Sequence, residues 1–295
     1  MVVHYKTKNK RTDVKRVDFM IIGAQKCGTT SLAAQLAAHP QVCFARIKEP
    51  GFFNAVTDWQ SRLDEYHRLF DPLPGQLLGE ASTMYTFLPE WQGTPARLQA
   101  YNPDLKLIYI MRQPVERVIS GYAHDLVRGW IKEPPETAVF DYPCYINRSR
   151  YAVQIRPYRR HFPPENILLL IFEDYIADQT TTLHQVARFL GIDPHAFPTD
   201  EPVVRHQTTG HWYLRHDTIR KLVHTRAFQA IRPFIPATIR QPVRRRLSGH
   251  LDKKPYFSPE LRQLIWEFLV DDVRVVETWL QRRLTIWRKG YDVCD

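Results

Sequence analysis

Asp18-Phe19-Met20-Ile21-Ile22-Gly23-Ala24-Gln25-Lys26-Cys27-Gly28-Thr29-Thr30 carries an unbroken apolar run into a glycine-bounded loop, and an Ala- and Leu-rich stretch from Thr29 to His39 follows. A strand covered on both faces needs such a run, so the segment predicts a parallel sheet. The helix after it is stopped by Pro40. A loop between a buried strand and a helix N-terminus offers backbone N–H groups and the positive end of the helix dipole to a phosphate. Gly23 and Gly28 permit the turn and the close approach. The loop nearly matches the nucleoside-triphosphatase pattern GxxxxGK(S/T), but Thr29 stands where the lysine belongs and the lysine is displaced to Lys26. Lys26 therefore projects from the loop itself, toward the first anionic group bound there.

Leu107 to Met111 and Ile167 to Phe172 are further continuous apolar runs, and Leu77 to Gly79 adds a short one. Helices are predicted from Pro114 to Arg128, from Arg150 to Phe162, from Thr180 to Leu190 ahead of Gly191, and from Pro259 to Leu284. In the last of these, Leu261, Leu264, Ile265, Phe268, Leu269, Val273, Val276 and Leu280 recur at helical spacing and read as core. Strands alternating with helices give an α/β fold: a P-loop-like central parallel β-sheet flanked by helices, with a mostly helical C-terminal extension. A single domain is expected. It comprises a basic tail at 1–17, a nucleotide-binding core at 18–200, a variable basic cover at 201–257, and a C-terminal helix in 258–295 that packs on the core.

With 44% hydrophobic residues in 295, the chain can bury a sizeable core. Its net charge of +10 favours anionic partners: nucleotides, acidic glycans, nucleic acid or membrane lipid. Cys27, Cys43, Cys144 and Cys294 form no CxxC pair, so neither a zinc cluster nor a disulfide framework is indicated, and a reducing, cytoplasmic setting is expected. No stretch approaches the roughly 20 apolar residues of a membrane span.

A second strand-to-helix passage, Ile110-Met111-Arg112-Gln113-Pro114-Val115-Glu116-Arg117-Val118-Ile119-Ser120-Gly121-Tyr122, places a guanidinium and a hydroxyl near one helix entry, where they can grip another phosphate. The alternative is that Arg112 pairs with a carboxylate, Arg117 is solvated and Ser120 packs.

Together the two segments carry a resemblance. GAQKCGTTSL resembles the 5′-phosphosulfate loop of sulfotransferases that use 3′-phosphoadenosine 5′-phosphosulfate (PAPS), and IMRQPVERVISGYAH resembles their 3′-phosphate motif, R-x-P-x-x-R-x-x-S. The likeness runs from Asp18 to about Ile192 and is nearest to the glycan (heparan-sulfate type) and bacterial branch. It implies a sulfotransferase with PAPS as co-substrate and no metal requirement. Lys26 would neutralise the leaving phosphate; a donor with one phosphate bridged to a sulfuryl group suits its displaced position. Gln25, Cys27, Gly28, Thr29 and Thr30 would supply loop amides and hydroxyls, Arg112 and Ser120 would bind the 3′-phosphate, and Tyr151 and a C-terminal lysine, Lys254, would approach the nucleotide. Gln113 departs from the Asp or Asn of many members.

Sulfuryl transfer also needs a group to take the acceptor's proton. The resemblance assigns this to Glu49 of Glu49-Pro50-Gly51-Phe52-Phe53, with Lys48 beside it and Phe52 and Phe53 walling the site. Ser82 and Tyr85 of Glu80-Ala81-Ser82-Thr83-Met84-Tyr85 would contact the acceptor. His124 is a rival base on the acceptor side, and Trp91, Trp130 and Tyr122 are candidate stacking surfaces. The acceptor implied is a glycan, with a lipid or secondary metabolite as other possibilities. Two different readings stay open. A P-loop kinase using ATP and magnesium would draw its metal-holding acid from Glu173-Asp174. A nucleic-acid binder would use the basic stretches Lys6 to Arg16 and Arg240 to Arg246, although these lack interleaved aromatics, so nucleic acid is not expected as a partner.

Overall fold

The computed structural model describes residues 16–198, 212–214, 248–250 and 255–291. Five parallel strands form one sheet: β1 (Phe19–Gly23), β2 (Val42–Phe44), β3 (Leu77–Ala81), β4 (Lys106–Met111) and β5 (Ile167–Ile171), in the order β2-β3-β1-β4-β5. β1 is central and buried along its whole length, as its continuous apolar run requires. Its neighbours are fixed in register by Phe19 opposite Gly79 on β3 and Met20 opposite Leu107 on β4. Gly79 is required there, since a Cβ at that position would stand 2.1 Å from the Phe19 ring. A separate two-stranded antiparallel pair joins β6 (Trp212–Leu214) to β7 (Ser248–His250).

The chain leaves β1 toward β2 on one side and later returns to β4 on the other. The crevice at such a reversal of strand order, beyond the carboxyl ends of the strands, is where open α/β sheets bind ligands. Both predicted anion-binding passages fall there. The helix Thr29–Ala37 follows β1, and the helix Pro114–Arg128 follows β4 with the predicted bounds. Gln113 caps the second helix by accepting a hydrogen bond from the Glu116 N–H at 2.7 Å, which gives a use to the residue that departs from the family pattern.

Two expectations need correction. The three-residue edge strand β2 is too short to stand out as an apolar run. The last long helix is Pro259–Leu280 and stops at Gln281 in the left-handed conformation. In it Leu261, Ile265, Leu269, Val273 and Val276 are buried, but Leu264 and Phe268 are 42% and 49% exposed. At 100° per residue those two lie on the flank of the stripe. Asp272, on the inner face, accepts from the N–H groups of Ala152 and Val153 at 2.8 and 3.0 Å, and so caps the helix Tyr151–His161 from another element. Asp272→Ala should therefore lower stability by about 1–2 kcal/mol, the cost of a lost N-cap. Asp272→Asn, which retains an acceptor, should lose less. Denaturant titration of the two variants checks this.

Candidate active site

The loop after β1 is built on left-handed residues, Lys26 at φ 71° and Gly28 at φ 88°. A Cβ on Gly28 would meet the Phe172 ring at 2.8 Å. Beneath the loop lies Arg117, fully buried rather than solvated. Its Nε and Nη2 donate to the Gln25 carbonyl and side-chain oxygens at 3.2 and 3.1 Å, and its Nη1 donates to the Tyr145 carbonyl at 3.0 Å and to Ser149 Oγ at 3.3 Å.

Cys27 and Tyr151 also sit under the loop instead of facing the cleft. Cys27 Sγ is 3.6 Å from the Tyr151 hydroxyl, and burial pushes the thiol up to about 11, which removes the option of a reactive thiolate. The Cys27 amide is used within the loop, donating to the Ala24 carbonyl. The Tyr151 hydroxyl donates to the Arg112 carbonyl at 2.7 Å and so ties the loop's underside to the end of β4.

A cleft of about 1120 Å³ opens above the loop and brings together Lys26, Thr29 and Thr30, the Lys48-Glu49 pair, Arg112 with Ser120, and His124. Lys48 Nζ donates to Thr30 Oγ1 at 2.8 Å, linking the Glu49 segment to the loop. Thr83 Oγ1 donates to Glu49 Oε2 at 2.9 Å and orients the carboxylate. Lys26 Nζ is 3.4 Å from His124 Nδ1. An ammonium only donates, so Nδ1 is the acceptor and the ring proton is on Nε2. Burial, then the charges of Arg117, Arg112 and Arg128, pull Lys26 down to about 8. Burial and the neighbouring cations, Lys26 first, pull His124 down to about 4. His124 is therefore uncharged at neutral pH and, among those cations, a poor proton acceptor.

Four predicted acceptor contacts do not reach the cleft. Phe53 is buried against Tyr101, Tyr66 and Trp59 with ring centroids 4.8–5.4 Å apart, and Phe52 stacks on Tyr66 at 4.7 Å. Ser82 Oγ accepts from Gly51 N at 3.0 Å, and the Tyr85 hydroxyl accepts from Phe53 N at 3.5 Å. All four fix the turn in which Glu49 and Gly51 adopt φ 53° and 57°, so they position Glu49 from behind. The residues of this element that do line the cleft are Thr83 and Met84.

Sequence reasoning also missed Arg128 and Arg148, both cleft-lining. The Arg128 guanidinium lies 4.8 Å over the ring of Trp130, itself 60% exposed, and that of Arg148 lies 3.8 Å over Phe87. Nothing in their spacing from the two motifs marks them. Lys254, and with it most of the 201–257 segment and the 1–15 stretch, lies outside the described residues. Glu173 accepts from Gln113 N and Trp287 Nε1 at 2.9 and 2.8 Å, and Asp174 is gripped by both terminal nitrogens of Arg282. Neither carboxylate is available as the acid a kinase would need. Among the described residues no group of His, Cys, Asp and Glu side chains is placed to hold a metal ion.

A parallel α/β sheet with two basic helix entries at neighbouring strand ends is a P-loop-like arrangement with room for two separate anionic groups. Residues 16–272 match the sulfotransferase domain family, and the chain belongs to it. It is 32% identical over 206 residues to heparan sulfate glucosamine 3-O-sulfotransferase 3B1 of Mus musculus, covering 65% of this chain and 50% of that one. It is 29% identical over 245 residues to carbohydrate sulfotransferase 15 of Mus musculus, covering 60% and 44%. The chain thus spans about half the length of the curated relatives it matches. The fold is shared with a sulfotransferase from Alicyclobacillus acidocaldarius (TM-score 0.66, 24% identity, 93% of this chain and 99% of that one). It is also shared with mouse sulfotransferase SULT7A1, solved in complex with PAP (TM-score 0.50, 16% identity, 91% and 90%).

Glu80, behind the Glu49 turn, is fully buried, and that burial pushes its carboxyl up to about 8. The folded state keeps a proton that the unfolded chain releases in the ordinary carboxylate range. Stability therefore falls as pH rises from that range to about 8. Glu80→Gln removes this dependence. Its unfolding free energy relative to the parent should climb through that window and then level off; a difference independent of pH would contradict the assignment.

Proposed function

We propose that this chain transfers a sulfuryl group from PAPS to a hydroxyl or amine of a carbohydrate or glycoconjugate acceptor. The observation that carries the reading is that one cleft gathers Lys26, Arg112 with Ser120, and Glu49, three groups contributed by three separate strand ends. The residues present fit the donor: the β1 loop and helix start for the 5′-phosphosulfate, with Lys26, Gly28, Thr29 and Thr30, and the β4 passage for the 3′-phosphate, with Arg112 and Ser120. PAPS supplies the activated sulfuryl group. Everything else asked of the protein is alignment, a proton acceptor and charge neutralisation.

Glu49, oriented by Thr83, takes the acceptor's proton as the acceptor oxygen or nitrogen bonds to sulfur. Lys26 meets the charge left on the departing phosphate. Lys48, held 2.8 Å from Thr30, serves the sulfuryl oxygens. His124 and the exposed face of Trp130 line the acceptor side. The carbohydrate class rests on the relatives' names and on this aromatic, cation-rich wall. A cytoplasmic location belongs to the same proposal: Cys27, Cys43 and Cys144 are unpaired, and no described helix is long and apolar enough to cross a membrane.

PAP at about 100 times its Kd should stabilise the fold by about 2.7 kcal/mol without magnesium, read as a rise in Tm. Stabilisation by ATP with magnesium but not by PAP would overturn the donor assignment in favour of a kinase. Lys26→Ala should reduce turnover by about two to four decades, as expected for a preorganised electrostatic contact. Glu49→Gln should abolish transfer and leave PAP binding intact; normal turnover in that variant removes Glu49 from the role.

The lowered Lys26 pKa also fixes a pH dependence. Bound anions favour the ammonium, so PAP binding should draw a proton onto Lys26, and affinity should fall as pH rises through about 8. Calorimetry in buffers of different ionisation enthalpy measures that uptake, and Lys26→Ala should lose it.

A further inference from the structure

Glu116 lies one helical turn after Arg112 and divides its carboxylate between two elements. Its Oε2 is 3.4 Å from Arg112 Nη2, and its Oε1 accepts from Arg262 Nη2 at 2.6 Å. Arg262 belongs to the helix Pro259–Leu280, outside the cleft, whereas Arg112 lines it. The three side chains are 17%, 26% and 33% exposed in the order Arg112, Glu116, Arg262, so their charges are only partly screened.

We propose that Arg262 is a positioning residue that sets the affinity for the donor's 3′-phosphate by keeping Glu116 from holding Arg112. This rests on the assignment of Arg112 and Ser120 to the 3′-phosphate made above. A phosphate arriving at the β4 passage competes with Glu116 for the Arg112 guanidinium. The long 3.4 Å contact on that side and the short 2.6 Å contact on the other show which cation Glu116 holds more closely. When Arg112 turns to the phosphate, Glu116 retains Arg262, and no half-buried carboxylate is stripped of its nearest countercharge. Without Arg262, the carboxylate pulls harder on Arg112, and the loss falls chiefly on the 3′-phosphate, because Arg112 reaches the loop after β1 only as one of several charges around Lys26. The C-terminal helix thus contributes to nucleotide selectivity without touching the nucleotide.

The test is calorimetry with PAP and with 5′-AMP, which lacks the 3′-phosphate, on folded variants verified by circular dichroism. Arg262→Ala should raise the Kd for PAP about three- to fivefold, the upper part of the range for a partly exposed ion pair, and leave that for 5′-AMP unchanged. Arg262→Gln replaces it should the alanine variant fail to fold, and Arg262→Lys should stay near the parent. Glu116→Gln should bind PAP at least as tightly as the parent, and in that background Arg262→Ala should change the Kd by less than about twofold. Equal losses for both nucleotides, or the same loss with and without Glu116, would mean that Arg262 acts only as distant charge or scaffold and would overturn the inference while leaving the donor assignment in place. Weaker PAP binding by Glu116→Gln would overturn it too. No PAP binding by the parent would overturn both readings.

Discussion

The Arg117 guanidinium is a full positive charge in the protein interior whose partners are carbonyl, amide and hydroxyl oxygens, with no carboxylate among them. Burying a charge with dipoles alone is costly, and it leaves a net field that points into the loop above. That field contributes to the lowered pKa values of both Lys26 and His124. It also dictates what the loop will accept, since an anion there completes the electrostatics that the fold leaves unfinished. The seat of Gln25 follows from satisfying this one side chain, while the Tyr151 hydroxyl supplies the loop's attachment to β4.

The C-terminal region belongs to the same construction. Asp272 starts the helix beginning at Tyr151, Trp287 joins Glu173 and Gln113, and Arg262 holds Glu116. Each contact ends on an element that carries or abuts the Arg112 passage. The helix from Pro259 to Leu280 is therefore a brace for the Arg112 side of the cleft, while the wall formed by Trp130 and Arg128 is held largely by the helix Pro114–Arg128 and the residues just after it.

What could be read from the sequence was what local patterning encodes. The apolar runs around β1, β4 and β5, the displaced lysine and the Pro-initiated helix after Arg112 are decided by neighbours within one turn or one strand, so both strand-to-helix passages were legible with nearly correct bounds. Residues whose role depends on which way a short segment turns were not. Phe52, Phe53, Ser82 and Tyr85 share the neighbourhood of Glu49, yet the turn directs them inward and leaves Thr83 in the cleft. The burial of Arg117 could not be read, and a solvated Arg117 stayed open as an alternative, because its partners, Gln25, Tyr145 and Ser149, are distant in sequence. Arg148 escaped notice for the same reason. Leu264 and Phe268 show the converse error, in which a periodic stripe was drawn wider than the groove that receives it.

The link from Trp287 to Glu173 and Gln113 has a consequence for biosynthesis. The loop after β1 is made before its partner passage after β4, which follows within the next hundred residues. Because synthesis proceeds from the N-terminus, and the start of the Arg112 helix is tied down by a tryptophan some 170 residues later, that helix start stays unbraced while the intervening residues are made. The contacts that Trp287 makes with Gln113 and Glu173 can form only after translation has passed that residue, so the start of the Arg112 helix is completed later than the sheet that precedes it.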